Sequence, residues 1–346
     1  MRSFASDNNS GVHPLIMEAL VKANVDHAVA YGSDQWSEAF IAKTQAVFGT
    51  DCLPLLTFNG TGSNSVALQL MTRPYHSIIC TEMAHILVDE CGSPTKSTGC
   101  VIRAVPAPDG KLTPASVLPL LTGFGNQQHS QPKVLYISQC TELGTVYTLE
   151  EIKALTTLAH AHDMYVLMDG ARLANAAVAL QVGLQEMTAG CGVDIVSFGG
   201  TKNGLLLGEC VLIFAQELKE SALFVRKQSA QLASKMRFLA CQLTALFTDD
   251  LWKKNATQAN ESAYQLYTSL NAYPEVTFTQ QVVSNQLFLQ MPRPVIDALL
   301  QEHTFYLVNE ATSEIRLVTS FDTTAADIEA FITSFQRALT TYRAAQ

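Results

Sequence analysis

The stretch YVLMDGAR, residues 165–172, decides the fold class of this 346-residue chain. Its apolar half predicts a buried strand, and the strand ends in a charged turn. The stretch DIVSFGGTK at 194–202 repeats this pattern. A helix is predicted over 148–162, where Thr148 and Glu151 form a capping box. Further apolar runs predict strands over 134–137 and 210–214. Strands that alternate with such helices predict an α/β fold, with a mainly parallel sheet and helices on both faces.

The pattern changes after about residue 245. A long helix is predicted over 248–270, and an amphipathic helix is predicted over 324–342. Shorter segments predict strands over 286–291, 305–308 and 314–321 and a helix over 294–302. This arrangement indicates a smaller C-terminal α+β domain at 248–346, beside a large domain at 1–247 that includes the N-terminal segment.

The composition argues against several classes of protein. The chain has 22 basic and 31 acidic residues, a net charge of −9 and no Lys/Arg-rich run, so we expect no nucleic-acid partner. No apolar stretch reaches the roughly 18 residues that a bilayer span needs, so we expect no membrane association. The first residues, MRSFASDNNSG, have no apolar signal-peptide core. The 8 cysteines are scattered without a CxxC pair, which predicts buried thiols in a cytoplasmic protein.

Candidate site residues follow the predicted strands, where sheets of this kind bind ligands. The stretch FNGTGSN at 58–64 leads into a helix predicted over 63–71, and a glycine turn at a helix N-terminus can hold a phosphate. An ordinary N-cap turn is the alternative there. Asp169 closes an apolar strand, where a buried carboxylate needs a positive partner. A protonated pyridine nitrogen is one such partner, and a salt bridge with Arg172 or a helix N-cap is the alternative.

Two further residues suit chemistry on a planar ligand. Lys202 lies among glycines in FGGTKNG, residues 198–204, and its apolar flanks favour a free amine for Schiff-base formation. A solvated loop lysine is the alternative. His85 follows the strand-like residues 77–80 and could stack on a ring or move a proton, although a lone histidine is more often structural. A phosphate cup, an aspartate and a lysine at successive strand ends together suit a phosphorylated pyridine aldehyde.

The chain also resembles the L-threonine aldolases, which belong to the fold-type-I group of enzymes that use pyridoxal 5'-phosphate (PLP). The resemblance covers nearly the whole chain. It is most specific at SFASDN (3–8), AYGSDQW (30–36), FNGT (58–61), MDGAR (168–172), FGGTKNG (198–204) and QLASKMR (231–237). It implies that Lys202 holds PLP covalently and that Asp169 pairs with the pyridine nitrogen. Gly60, Thr61 and Thr201 are then expected at the phosphate, with His85 stacked on the ring.

The same resemblance implies how a substrate is held. Ser6, Arg172 and Arg316 are expected at the substrate carboxylate, with Arg172 also close to the cofactor. Arg316 lies in the strand-like EIRLV at 314–318, where an arginine fork suits a carboxylate clamp and a cross-strand ion pair is the alternative. Tyr31 and Arg237 are also expected to bind the substrate, since they match positions near the subunit interface, where a neighbouring chain completes the active site. We therefore expect a homodimer or homotetramer with shared active sites, and no metal.

The implied reaction is retro-aldol cleavage of L-threonine, L-allo-threonine and related β-hydroxy-α-amino acids to glycine and an aldehyde. Some aldolases carry a second histidine after the strand at 134–137, where this chain reads SQCTE at 138–142. Some carry a tyrosine where this chain has Asp89. We therefore predict that His85, or a water it holds, takes the hydroxyl proton. A PLP lyase that eliminates at Cβ, a non-catalytic nucleotide-binding protein and an inactive scaffold are the alternatives.

Overall fold

The computed structural model describes residues 2–346, which contain one large and one small β-sheet. The large sheet consists of Leu53–Thr57 (β1), His76–Thr81 (β2), Val101–Val105 (β3), Gln131–Ser138 (β4), Tyr165–Gly170 (β5), Ile195–Gly199 (β6) and Glu209–Ile213 (β7). Its strand order is β1-β7-β6-β5-β4-β2-β3. Only β7 runs antiparallel to its neighbours, β1 and β6. The prediction of a mainly parallel sheet is confirmed.

Successive residues of a strand point to opposite faces of the sheet. Both faces of this sheet are apolar because successive strand residues are apolar. Val166 and Met168 belong to one buried cluster, whereas Leu167 between them belongs to a second cluster. Each of these three side chains is 0% exposed. Strands buried on both faces read as continuous apolar runs, which explains why the sequence of β5 shows no alternation of polar and apolar residues.

Fourteen α-helices surround the two sheets in the described residues. They are Pro14–Ala23 (α1), Gln35–Phe48 (α2), Gly60–Met71 (α3), His85–Val88 (α4), Ser93–Thr98 (α5), Pro114–Val117 (α6), Leu149–His160 (α7), Leu173–Leu180 (α8), Leu184–Met187 (α9), Lys219–Gln228 (α10), Arg237–Phe247 (α11), Leu251–Leu270 (α12), Arg293–Leu299 (α13) and Ala325–Ala344 (α14). The predicted capping box forms at the start of α7. Within residues 2–346, no helix combines the length and the apolar composition that crossing a bilayer requires.

The small sheet lies in the C-terminal part of the chain and is antiparallel. Its strands are Thr277–Phe278 (β8), Gln286–Gln290 (β9), Tyr306–Asn309 (β10) and Glu314–Val318 (β11), in the order β10-β11-β9-β8. A third apolar cluster lies against this sheet and includes Phe4 from the N-terminal segment. Helix α12 packs against both α8 and α14. The domain boundary near residue 247 stays a prediction, since α12 has contacts on both sides of it.

The structure differs from the sequence predictions at several places. The strand predicted over 314–321 ends at Val318, and the helix predicted over 294–302 ends at Leu299. Helix α3 begins at Gly60 and not at residue 63, because the side chain of Asn59 accepts a hydrogen bond from the N–H of Gly62 at 2.8 Å and caps the helix. Helix α12 begins three residues late, after a turn in which Asp249 and Asp250 have positive φ angles of 49° and 54°. All eight cysteines are free, but Cys91 is exposed, so the prediction of buried thiols is wrong at that position.

Candidate active site

One edge of the large sheet collects the polar residues that the sequence analysis singles out. Strands β1, β2, β4, β5 and β6 are mutually parallel in this sheet, so their carboxyl ends meet at one edge. Strand β7 runs in the opposite direction and therefore begins at this edge with Glu209. Parallel sheets bind ligands at this end of their strands. We call it the carboxyl edge.

Lys202 lies in a short turn, Thr201–Asn203, that follows β6. The turn lies close to β5 because Gly199 has no side chain: a Cβ atom there would be 2.6 Å from the backbone of Ala171. The positive charge of Arg172 and burial together lower the pKa of Lys202, while Asp7 and Asp169 act in the opposite direction. No salt bridge within residues 2–346 includes Lys202. The half-buried amine therefore differs from an ordinary solvated lysine.

Asp169 ends β5 as a buried carboxylate that is surrounded by neutral donors. One oxygen, Oδ2, accepts from Asn64 Nδ2 at 2.9 Å and from the Tyr136 hydroxyl at 2.7 Å. The other, Oδ1, accepts from the N–H of Ala171 at 2.9 Å. Three donors suit a carboxylate that keeps its negative charge. The alternative of a salt bridge with Arg172 is wrong, because Arg172 pairs with another carboxylate.

That carboxylate is Asp7, which lies in a 3-10 turn packed against the Lys202 turn. Arg172 Nε and Nη2 donate to the two oxygens of Asp7 at 2.7 and 2.9 Å, and Asn285 adds a third donor at 3.0 Å. Burial opposes ionisation of Asp7, but Arg172 and Lys202 outweigh it and lower the pKa of Asp7. The pair fixes the Arg172 guanidinium and leaves its Nη1 free for another acceptor.

Arg316 approaches the same place from the small sheet. Its Nη2 donates to the carbonyl of Ala5 at 3.2 Å, and its guanidinium lies 5.4 Å from the centre of the Tyr306 ring. Its Nε is buried without a hydrogen-bond partner in the described part of the chain. Burial and the nearby charge of Arg172 lower the pKa of Arg316. The alternative of a cross-strand ion pair is wrong, because its partners across the strands are Tyr306 and Phe288.

His85 begins α4 and is held from two sides. Its backbone N–H donates to Glu142 Oε1 at 2.8 Å, and its ring Nδ1 lies 2.8 Å from Glu90 Oε1. The hydrogen bond to Glu90 raises the pKa of His85 despite partial burial, and the Asp169 charge adds to this rise while Lys202 opposes it. Glu142 is itself buried, which raises the pKa of its carboxyl. His85 is therefore a fixed and ionisable side chain at the carboxyl edge.

The glycine turn that the sequence indicates as a phosphate cup forms the first turn of α3. Gly60 and Thr61 are half-buried there, and no atom lies within 4 Å of the position that a Cβ of Gly60 would take. Gln231 closes the neighbouring space: its side chain accepts from the N–H of Phe58 at 2.9 Å and would lie 2.4 Å from a Cβ on Gly62. Exposed N–H groups at the first turn of a helix favour an anion.

The remaining predicted residues take two different positions. Ser6 caps the 3-10 turn that holds Asp7, and its hydroxyl accepts from the N–H of Asn8 at 3.2 Å. Tyr31 and Arg237 lie elsewhere: Arg237 donates to the carbonyl of Val25 at 2.8 Å, and the Tyr31 side chain is 53% exposed. In the described residues, neither of these two is bonded to a side chain of the carboxyl edge. Their predicted role at a subunit interface stays a prediction.

Sequence reasoning missed several members of the site. Asn64 ends the stretch FNGTGSN and Glu142 ends SQCTE, but neither residue has a predicted role in the site. Tyr136 lies in a predicted strand, and the only local signal for Glu90 is its spacing of five residues after His85. His85, Glu90 and Asp169 also place one possible ligand atom each within 4.8 Å of the others. The Asn64 amide donates to both carboxylates at 2.8 and 2.9 Å, so this group suits a hydrogen-bond network more than a cation.

The chain is similar to known proteins in both sequence and structure. The model of the Beta-eliminating lyase family matches residues 3–292. The chain belongs to the β-eliminating lyase family. Two relatives of the chain are low-specificity L-threonine aldolases, one from a Pseudomonas species and one from Pseudomonas aeruginosa. They are 38% and 39% identical to the chain, over 94% and 95% of its length and 95% and 94% of theirs.

A solved structure extends the similarity to three dimensions. The threonine aldolase of Leishmania major superposes with a TM-score of 0.92 at 28% sequence identity. The match covers 97% of this chain and 99% of that one. The predicted fold class, a fold-type-I α/β sheet with a smaller C-terminal α+β part, is therefore confirmed.

Proposed function

We propose that the protein is a PLP-dependent aldehyde-lyase that cleaves L-threonine and L-allo-threonine to glycine and acetaldehyde. The observation that carries this proposal is the state of Lys202. Its amine is half-buried, has a lowered pKa and lies at the carboxyl edge among the carboxylates Asp7 and Asp169. A free amine in such a place suits covalent attachment of an aldehyde. The low-specificity threonine aldolases among its relatives support the choice of substrate.

The residues at the carboxyl edge fit PLP. We propose that Lys202 holds its aldehyde carbon and that Asp169, a buried anion with only neutral donors, faces its ring nitrogen. We propose that the open first turn of α3, with Gly60 and Thr61, supplies donors for its phosphate and that Thr201, in the turn of Lys202, lies beside that phosphate. When bound, PLP supplies a protonated ring that takes up the electrons of a bond broken at the α-carbon of an amino acid.

Two arginines are proposed to hold the substrate carboxylate. Arg172 keeps Nη1 free because Asp7 occupies its other two donor positions. Arg316 keeps an unpartnered Nε. Both guanidinium groups are fixed before the substrate arrives, and Ser6 lies beside them in the Asp7 turn. A carboxylate fixed in this way orients the Cα–Cβ bond toward cleavage, and orientation of this kind contributes several kcal/mol.

The proton of the β-hydroxyl is proposed to go to His85, directly or through a water that His85 holds. A base at this position must be at least partly neutral at the working pH. Glu142 occupies the segment in which some aldolases have a second histidine, and its hydrogen bonds go to Ser138 at 2.6 Å and to the His85 backbone. It therefore supports His85 in this chain and is not proposed as the base.

The family description favours one further candidate, elimination at Cβ of an amino acid. Such a lyase would use the same ring-holding residues and would differ in how it handles the substrate side chain. The two reactions give different products. Retro-aldol cleavage of threonine gives glycine and acetaldehyde, whereas elimination gives ammonia and a keto acid.

The test is a visible spectrum followed by product analysis. Purified protein with PLP is expected to absorb near ~420 nm. Addition of L-threonine or L-allo-threonine is expected to release glycine and acetaldehyde in equal amounts. Ammonia and a keto acid as the main products would instead establish elimination, and a colourless protein after incubation with PLP would contradict the proposed cofactor. The ratio of the two rates gives the threo/allo preference.

We also propose a cytoplasmic homodimer or homotetramer with shared active sites, acting in threonine breakdown and glycine supply. Free thiols at all eight cysteines support a reducing compartment. Exposed apolar side chains such as Tyr31 and Phe224, the latter 75% exposed, support an interface with another copy. Light scattering on the eluted protein measures the number of subunits, and a monomer would contradict the shared site.

A further inference from the structure

Glu90 is a buried carboxylate to which the proposed reaction gives no task. It follows α4, and its side chain is 0% exposed. Its Oε1 lies 2.8 Å from His85 Nδ1 and 2.8 Å from Asn64 Nδ2. Its Oε2 has no hydrogen-bond partner within residues 2–346. Burying a carboxylate costs free energy unless the group is paired or hydrogen-bonded, so the partners of Glu90 should indicate its role.

The hydrogen bonds around Glu90 decide the protonation of the His85 ring. The Asn64 amide lies between Glu90 Oε1 and Asp169 Oδ2, two carboxylate oxygens, so the atom facing both must be its NH2 group. Glu90 Oε1 is therefore an acceptor toward Asn64, and as a carboxylate oxygen it is also an acceptor toward His85. The proton of the neutral His85 ring consequently lies on Nδ1, and Nε2 carries a lone pair.

We infer that Glu90 is a positioning residue that holds His85 in the Nδ1–H tautomer, so that Nε2 is the atom that accepts the proton of the substrate β-hydroxyl. The second half of this inference rests on the proposed function, whereas the tautomer does not. The hydrogen bond from the His85 backbone N–H to Glu142 holds the main chain of His85, so the ring has little freedom to turn. A carboxylate that orients a histidine base in this way occurs in many hydrolases.

The charges that face His85 come from four residues on separate elements: Glu90, Asp169, Lys202 and Glu142. Glu90 has the largest effect and raises the pKa of His85, Asp169 acts in the same direction, and Lys202 opposes them. Removal of the Glu90 charge should therefore lower the pKa of His85. The acid limb of the pH–rate profile should then move to lower pH, because His85 stays neutral further into acid.

The decisive experiment is a nitrogen NMR titration of histidine-labelled, full-length protein, in the wild type and in Glu90→Gln, Glu90→Asp and Glu82→Gln. His85→Gln assigns the signals. We expect the Nδ1–H tautomer in the wild type, and in Glu90→Gln a lower pKa and a smaller Nδ1–H fraction. Glu90→Asp keeps the charge and should keep most of the wild-type titration. The exposed Glu82, three residues before His85, is the matched control and should change nothing.

Kinetics on the PLP-loaded enzyme give the second readout. Glu90→Gln should lower kcat for threonine cleavage about tenfold or more with little change in KM, and should move the acid limb to lower pH. Thermal melting of each variant separates this effect from misfolding, and the tautomer of wild-type His85 tests the inference even if the glutamine variant does not fold.

Two outcomes overturn the inference: an Nε2–H tautomer in the wild type, or an unchanged His85 titration in folded Glu90→Gln. Either would do so even in an enzyme that cleaves threonine. A wild-type Nδ1–H tautomer that is lost in Glu90→Gln, in a protein that cleaves no threonine, would support the hold of Glu90 on His85. It would at the same time contradict the proposed function.

Discussion

The C-terminal part of the chain pairs three surface arginines with carboxylates, whereas two of the cations at the carboxyl edge of the large sheet have no such partner. In the C-terminal part, Arg293, Arg337 and Arg343 lie at the surface, and each is paired with a carboxylate. At the carboxyl edge, Lys202 and Arg316 have no ion-pair partner within residues 2–346, although both are half-buried.

The two regions therefore differ in what their charges contribute to stability. An exposed ion pair contributes about 0–1 kcal/mol to stability. A buried cation without a partner lowers stability, because it has lost water and gained little in return. Arg316 is the clearest example of an unpaired cation. Its strand belongs to the small sheet, while its guanidinium lies by Ala5 and Arg172. The unpaired charges of the carboxyl edge are therefore expected to be sensitive to substitution in activity, and the paired surface charges are not.

The largest effect is expected at Lys202. Lys202→Ala should abolish the absorption near ~420 nm and lower cleavage of threonine at least about 10³-fold, because no other amine can take its place. Lys253→Ala, an exposed lysine on α12, is the matched control and should leave spectrum and rate unchanged. If Lys202→Ala kept both the absorption and the cleavage rate, the unpaired Lys202 would be no more important for activity than a surface lysine.

Asp169→Asn is expected to have the next largest effect. The change removes the negative charge and places an NH2 group among donors from Asn64, Tyr136 and Ala171. We expect kcat to fall on the order of 10²-fold while PLP still binds, since the anion acts mainly on the reacting state. Steady-state kinetics and a PLP titration measure the two effects separately. Near-normal turnover would show that the carboxylate serves only the fold.

Arg316→Ala should raise KM for threonine about tenfold or more and change kcat less, because one of the two arginines proposed to hold the carboxylate is lost. Arg343→Ala removes a surface arginine of the same C-terminal part, which is paired with Glu275 at 2.7 Å. It should leave KM unchanged. Equal KM values in the two variants would mean that Arg316 is as structural as Arg343.

The smallest effect concerns stability and pH. Burial raises the pKa of Glu209 from its ordinary 4.5 to about 7, whereas the hydrogen bond from Arg343 lowers the pKa of Glu275 near the surface. Between pH 4.5 and about pH 7, Glu209 keeps its proton in the folded protein but has released it in the unfolded chain. The free energy of unfolding should therefore fall as pH rises through this window.

Glu209→Gln keeps an acceptor for the N–H of Gly200 and removes this pH dependence. Urea unfolding at pH values on both sides of the window measures the difference between variant and wild type. Glu275→Gln is the control, and it should not remove the dependence. A parallel pH response in wild type and Glu209→Gln would show that Glu209 is ionised throughout.

Local sequence determined much of this protein. Apolar runs and capping residues predicted the strands of the large sheet and the helices around it, because strands and helices depend on neighbours within a few residues. Polar residues after strands predicted Lys202, Asp169 and His85, because the carboxyl ends of parallel strands share one edge. Local sequence placed the start of α3 three residues late, since the cap from Asn59 makes glycines helical.

Only the tertiary structure decided which charges are paired. Asp7 and Arg172 are 165 residues apart, and Asn64 and Asp169 are 105 apart, so no spacing rule connects them. Glu90 and Glu142 approach His85 from different segments for the same reason. Burial and electrostatic partners depend on the packing of the whole chain, and these set the ionisation of a side chain. The positions of Lys202, Asp169 and His85 at strand ends could therefore be predicted from sequence, whereas the partners that set their ionisation could not.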